Sequence, residues 1–117
     1  MVTLEELRAL CLEMPHVTED IKWEEHLCFS VAKKMFIIIS PDDVPVNASF
    51  KTSIEKFNEL TELEGFQPAP YLGRYHWTYI HDISMLTEPE WKEIINEAYR
   101  LVFEKLPKKV QRELNEK

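Results

Sequence analysis

Gly65–Ile80, GFQPAPYLGRYHWTYI, holds both glycines of the 117-residue chain, two of its seven prolines and three of its four tyrosines. Pro68 and Pro70 fix φ and push Gln67 and Ala69 toward extended geometry, which stiffens the approach to Tyr71. Tyr75, Trp77 and Tyr79 then alternate with the period of two that sends every second side chain to one face of a strand. The stretch reads as a rigid loop feeding a strand, and such a loop can present side chains.

Downstream, Thr87-Glu88-Pro89-Glu90 has the form of a capping box. From it Trp91, Ile94, Ile95, Ala98, Tyr99, Val102, Phe103 and Leu106 keep helical spacing, so a helix over Glu88–Leu106 is expected, with its aromatic stripe facing a core and Pro107 ending it. Upstream, Thr3-Leu4-Glu5-Glu6 opens an amphipathic helix that Pro15 stops. From about Glu19 to Phe50 the period changes to two. Ile21 and Trp23 mark a first strand, Leu27, Phe29 and Val31 a second, and a turn follows at Ala32-Lys33-Lys34. Met35–Ile39 is apolar throughout, as in a central strand, and Val46, Ala48 and Phe50 alternate with Asn47, Ser49 and Lys51 in a fourth. Thr52-Ser53-Ile54-Glu55 opens a short helix that Gly65 is expected to terminate. The pattern predicts one α+β domain over residues 1–117, an antiparallel sheet of about five strands flanked by N- and C-terminal helices, and a monomer.

Composition bounds the function. Hydrophobic content of 44% suits a packed globule, no apolar run is long enough to cross a bilayer, and the N-terminus lacks the pattern of a signal peptide, so the expected compartment is the cytoplasm. Cys11 and Cys28 read as two buried thiols. A net charge of −7 counts against nucleic-acid binding by the protein as a whole and leaves room for a local basic patch. Acids crowd the first part of the chain, at Glu5, Glu6, Glu13, Glu19, Asp20, Glu24 and Glu25, while the tail carries Lys105, Lys108, Lys109, Arg112 and Lys117.

No catalytic constellation stands out: the histidines have no ligand-spaced partner, no nucleophile sits beside a base, and no glycine loop cradles phosphate. Neither enzyme activity, a cofactor, a metal nor a small-molecule substrate is expected. The polar strand face offers more. Lys33 and Lys34 at the turn, Asn47, Ser49 and Lys51 on one strand, and Arg74, His76 and Trp77 after the stiff loop are donors and stacking groups of the kind used on phosphates and bases. The plainer reading makes Trp77 core and the charges solubilising.

Trp23, Lys34-Met35-Phe36, Asn47 and Lys51, Pro70-Tyr71, His76-Trp77, and Tyr99 with Leu106-Pro107, in this order and spacing, resemble the MmcQ/YjbR family over nearly the whole chain. The resemblance implies a frataxin/CyaY-like α+β fold in which two hairpin loops form a double wing proposed to contact DNA. The leading expectation is therefore weak DNA binding without sequence specificity. The chain departs from the family at Ala32-Lys33, where many relatives carry two glycines, which argues against a glycine-dependent turn and adds positive charge to the tip. Two alternatives stand beside it: weak iron binding by the acidic group, as the fold resemblance implies, and a protein-interaction module using the open sheet face with Phe36 and Ile38.

Overall fold

The computed structural model describes residues 2–23 and 25–116, so Glu24 of the acidic group and Lys117 of the basic tail lie outside the described residues. The elements run α1 (Leu4–Leu12), β1 (Val17–Lys22), β2 (His26–Val31), β3 (Lys34–Ser40), β4 (Asn47–Lys51), α2 (Ile54–Leu60), β5 (Phe66–Pro68), β6 (Trp77–Ile80), α3 (Glu88–Glu104) and α4 (Lys108–Asn115). The six strands form one antiparallel sheet in the order β1-β2-β3-β4-β6-β5. The architecture is the expected α+β, with one strand more than the sequence pattern predicts. The added strand, β5, is only three residues of the stiff loop's own start, too short for an alternation to register.

Helix α3 organises the core. Thr87 and Glu90 exchange hydrogen bonds as a reciprocal cap. From the next residue on, Trp91, Ile94, Ile95, Ala98 and Tyr99 are buried against the sheet, with α1 packed alongside. The sheet meets them with Phe29, Ile37, Ile39, Phe50 and Ile80, none of which is exposed to solvent. Phe50 lies edge-on to Trp91 and Phe36 edge-on to Tyr99. The polar ends of these buried rings are satisfied, since Trp91 Nε1 donates to Ile83 O at 2.8 Å and Tyr99 OH to Pro15 O at 2.7 Å.

Several local readings change. A register shift between Phe29 and Ser30 inserts Phe36 as an extra residue, so Phe36 and Ile37 are both fully buried. Phe36 therefore packs on α3, and of the pair expected on the open face only Ile38 is there. Tyr75 and His76 precede the strand: Gly73–Tyr75 is a 3-10 turn and His76 sits at φ 63°, so β6 begins at Trp77. Trp23 lies past the end of β1 in the turn, at φ 52°. Helix α2 is capped by Ser53 and ends at Leu60, five residues before Gly65, which instead takes φ 93° in the turn into β5, where a Cβ would collide with the Met85 side chain. Thr52, next to the cap, is buried and bonds His76 O and Thr78 Oγ1.

The β2–β3 turn settles the question of the missing glycines. Val31 pairs with Lys34 across a two-residue connection whose Ala32 and Lys33 have φ 48° and 70°. Two-residue hairpins with positive φ at both central positions match the twist of the strands, so the turn keeps the glycine-type backbone with residues that strain in it. Ala32→Gly is expected to stabilise the protein by roughly 0.5–1 kcal/mol, net of the extra freedom glycine gives the unfolded chain, as read by denaturant unfolding. Ala98→Asp is expected to cost about 3 kcal/mol or more, because it sets an unpaired charge between α3 and the sheet. An unchanged midpoint would mean, for Ala32, that the turn is unstrained and, for Ala98, that its side chain lies outside the core.

Candidate nucleic-acid interface

With both major helices on one side, alternate residues of the strands face outward without a helical cover. Ile38, Ser49 and Tyr79 lie level with one another across β3, β4 and β6. Two cavities indent this face. The larger, about 560 Å³, is lined by Met35, Ile38, Asn47, Ser49 and Tyr79 from the strands, with His26 and Asp43 at one end. Trp23 on one side and Pro70, Tyr71 and Leu72 on the other form its rim. The smaller, about 290 Å³, is lined by Lys34, Lys51 and Lys105 around Met35, Leu72, Trp77, Leu106 and Pro107. Met35 and Leu72 belong to both, so the two cavities adjoin.

The loop between β5 and β6 is held at several points. Ala69 N donates to Trp77 O, Leu72 N to Ala69 O and Trp77 N to Leu72 O. Lys51 Nζ donates to Tyr75 O, and Gly73 lets the turn close on Pro68, whose Cβ would lie 2.9 Å from a Cβ at that position. The stiffness anticipated from Pro68 and Pro70 is thus supported by hydrogen bonds and close packing. Tyr71 stands at the apex with φ 65° and its side chain 97% exposed.

The eight residues singled out from sequence divide into groups. Lys34, Lys51 and Trp77 meet in the smaller cavity, and Asn47 and Ser49 lie in the larger. Lys33 is exposed at the hairpin tip. Arg74 is exposed with its guanidinium over the Tyr75 ring. His76 is turned elsewhere: its ring meets Phe57 edge-on and its carbonyl accepts from Thr52. Trp77 is 8% exposed, so its indole is wall rather than an open stacking surface. The sequence reading missed Lys105, which completes the lysine group from the end of α3, and the rim rings Trp23 and Tyr71 as a pair. Trp23 and Pro70-Tyr71 were already among the residues carrying the family resemblance.

Charge at the two cavities differs. Burial, with Lys105 nearby, pulls the Lys51 ammonium below its usual pKa, the condition of a cation lacking a counter-charge. In the larger cavity burial and the Asp43 carboxylate push the Tyr79 phenol up. Asn47 Nδ2 donates to Asp43 at 2.9 Å, and His26 Nδ1 is shut from solvent without a partner among the described residues. The acidic group is dispersed. Glu19 is held by Arg8 at 2.6 and 2.8 Å while its neighbour Asp20 projects to the other side of the strand, and among the described residues no three His, Cys, Asp or Glu side chains are gathered as metal ligands. Cys11 and Cys28 are buried free thiols. Among the described residues no helix is long and apolar enough to cross a membrane.

A two-layer α+β domain with an uncovered, cavity-bearing sheet face is the class these features define. The YjbR family model matches residues 12–101, and the chain belongs to that family. Among solved structures, the Deinococcus radiodurans protein DR2400, with a DUF419 domain, has a TM-score of 0.88 at 26% identity, covering 98% of this chain and 89% of its own. A Pseudomonas syringae protein has a TM-score of 0.71 at 16% identity, covering 86% of this chain and 99% of its own, a likeness of fold alone. No curated protein matches the chain.

The Arg8–Glu19 pair gives a pH test. Hydrogen bonding and attraction from Arg8 hold the Glu19 carboxyl below its ordinary range, so its contribution is complete above the unfolded value of about 4.3 and is lost as pH falls through the lower folded value. Glu19→Gln should melt slightly below wild type at neutral pH, with the gap closing in acid. A gap independent of pH would assign the loss to packing.

Proposed function

We propose that this protein is a binding module, without enzymatic activity, that holds DNA weakly and without sequence specificity along the open sheet face. The observation that carries the reading is the gathering of Lys34, Lys51 and Lys105 around one cavity in a chain of net charge −7. Lys33 at the hairpin tip and Arg74 beside Tyr75 extend the positive end. Lys51 is half-buried, donates to the Tyr75 carbonyl and faces a second lysine, so a phosphate there would offset both desolvation and repulsion. The β2–β3 turn and the loop before β6 stand at the same end of the sheet, the arrangement that a pair of wings along a backbone requires. Contacts to phosphate fix position and carry no sequence information, which agrees with a site rich in lysine.

The test is affinity for DNA across a salt series. Four phosphate contacts, one each at Lys33, Lys34 and Arg74 and one shared by Lys51 and Lys105, give a slope of log affinity against log salt of roughly −3 to −4 on duplex and about −3 on a single strand. Lys33→Glu with Lys34→Glu should flatten that slope by about two and leave the melting temperature within a degree or so, since both residues are exposed at a turn. No binding at low salt, or an unchanged slope in the double variant, would transfer the open face to protein interaction.

A further inference from the structure

The lysine cavity accounts for phosphate and leaves the larger cavity without a task. Among the described residues Asp43 is the only Asp, Glu, Lys or Arg in its lining, so phosphate is not its natural occupant. Its walls suit a flat ring. Trp23, 64% exposed, comes from the β1–β2 turn and Tyr71, 97% exposed, from the β5–β6 loop at the other end of the sheet, while Tyr79, Met35 and Ile38 line the cavity from the strands. Both rim aromatics have positive φ, 52° at Trp23 and 65° at Tyr71. Bulky residues are rare in that region and cost about 1–2 kcal/mol each there, and at Tyr71 no packing of the side chain offsets the cost. A strained backbone that sets an exposed ring at the mouth of a cavity, with nothing in the free protein to compensate, points to a ligand that packs on the ring.

We propose that the larger cavity seats an unpaired base of single-stranded DNA between Trp23 and Tyr71, with the adjoining phosphates directed past Met35 and Leu72 to Lys34, Lys51 and Lys105. This rests on the reading of the face as a DNA interface and names the form of DNA it takes. A volume of about 560 Å³ is of small-ligand size, sufficient for a base with its sugar. In a duplex both faces of a base are covered by its neighbours in the stack, whereas a single strand offers each π-face freely. Duplex DNA could use the lysines and would leave the aromatic cavity empty. The adjacency of the cavities supplies the alternation of ring and phosphate that a single strand presents. Asn47, Ser49, Tyr79 and Asp43 would meet the edge of the base.

The experiment measures anisotropy of three labelled probes of equal length: oligothymidylate, an oligonucleotide with abasic sites in place of thymines, and a duplex. Wild type should prefer oligothymidylate to the abasic strand by about tenfold or more, the scale of one or two stacked bases, and should bind the duplex more weakly than oligothymidylate. Tyr71→Ala and Trp23→Ala should each remove most of that preference, leaving abasic affinity and the salt slope unchanged. Tyr71 is so exposed that its variant is expected to melt as wild type does, and it decides the matter should Trp23→Ala fold poorly. Equal affinity for thymidylate and abasic strands, or duplex bound as tightly as single strand, overturns the base seat and leaves DNA binding standing. No binding of any probe at low salt overturns both.

Discussion

The packing of α3 on one side of the sheet is the contact on which the rest of the molecule depends. Trp91, Ile95 and Ala98 reach Phe29, Phe50, Ile37 and Ile39, and α1 closes the layer with Leu7, Leu10 and Cys11. A chain of this length can cover one face of a six-stranded sheet with its two principal helices, and the other face must then manage water by itself. It does so with a mixed surface: Ser49, Asn47 and Tyr79 carry polar atoms outward, while Met35 and Ile38 remain half-buried between them. The bulge at Phe36 serves this division, because it lets two consecutive residues of β3 enter the core without reversing the strand's outward side chains on either side. One-sided packing and the open concavity are the same constraint seen from two sides.

The loops at the rim are held by that sheet more than by their own composition. Thr52, buried beneath α2, ties His76 in place, and Lys51 ties Tyr75, so the segment from Ala69 to His76 is anchored to the end of β4. Anchoring of this kind permits left-handed residues that a free loop would relax. Tyr71, His76, Ala32 and Lys33 all have positive φ, and all lie in the connections at the lysine end of the sheet. Strain of order 1 kcal/mol per residue is tolerable where the surrounding hydrogen bonds over-determine the path.

What the sequence made legible follows from how local each signal is. Helix α3 announces itself through a cap and an unbroken stripe, both readable within a few turns, and its observed range differs from expectation only in the last residues. The alternation in β2 and β4 fixed which side chains share a face, so Asn47, Ser49 and Lys51 were correctly grouped. The bulge at Phe36 left no trace in a strand apolar at every position. The Tyr-x-Trp-x-Tyr alternation suggested a longer strand than exists, because the hydrogen bonds that turn Tyr75 and His76 away come from Lys51 and Thr52, some two dozen residues earlier. Lys105 could not be placed beside Lys34 and Lys51 before the direction of α3 across the sheet was known, and Tyr71 and Trp23 could not be seen as facing rims before β1 and the β5–β6 loop were put at their places.

The same helix resolves the conflict between a net charge of −7 and a basic site. Seventeen residues of α3 span roughly 25 Å at about 1.5 Å each, with Glu88 and Glu90 in its first turn and Lys105 at its C-terminal cap. Each of those charges lies at the end of the helix whose partial charge it complements. The N-terminus of α1 joins the acidic end, for Glu6 and Glu88 line one shallow cavity there. Glu104, the acid nearest Lys105 in sequence, is paired with Arg100 at 2.7 Å. With a screening length of about 8 Å at physiological salt, carboxylates two or three such lengths away subtract little from the potential at Lys34, Lys51 and Lys105. Glu88 and Glu90 thus stand a helix length from Lys105, and net charge, which sums over both ends, says little about the field at either.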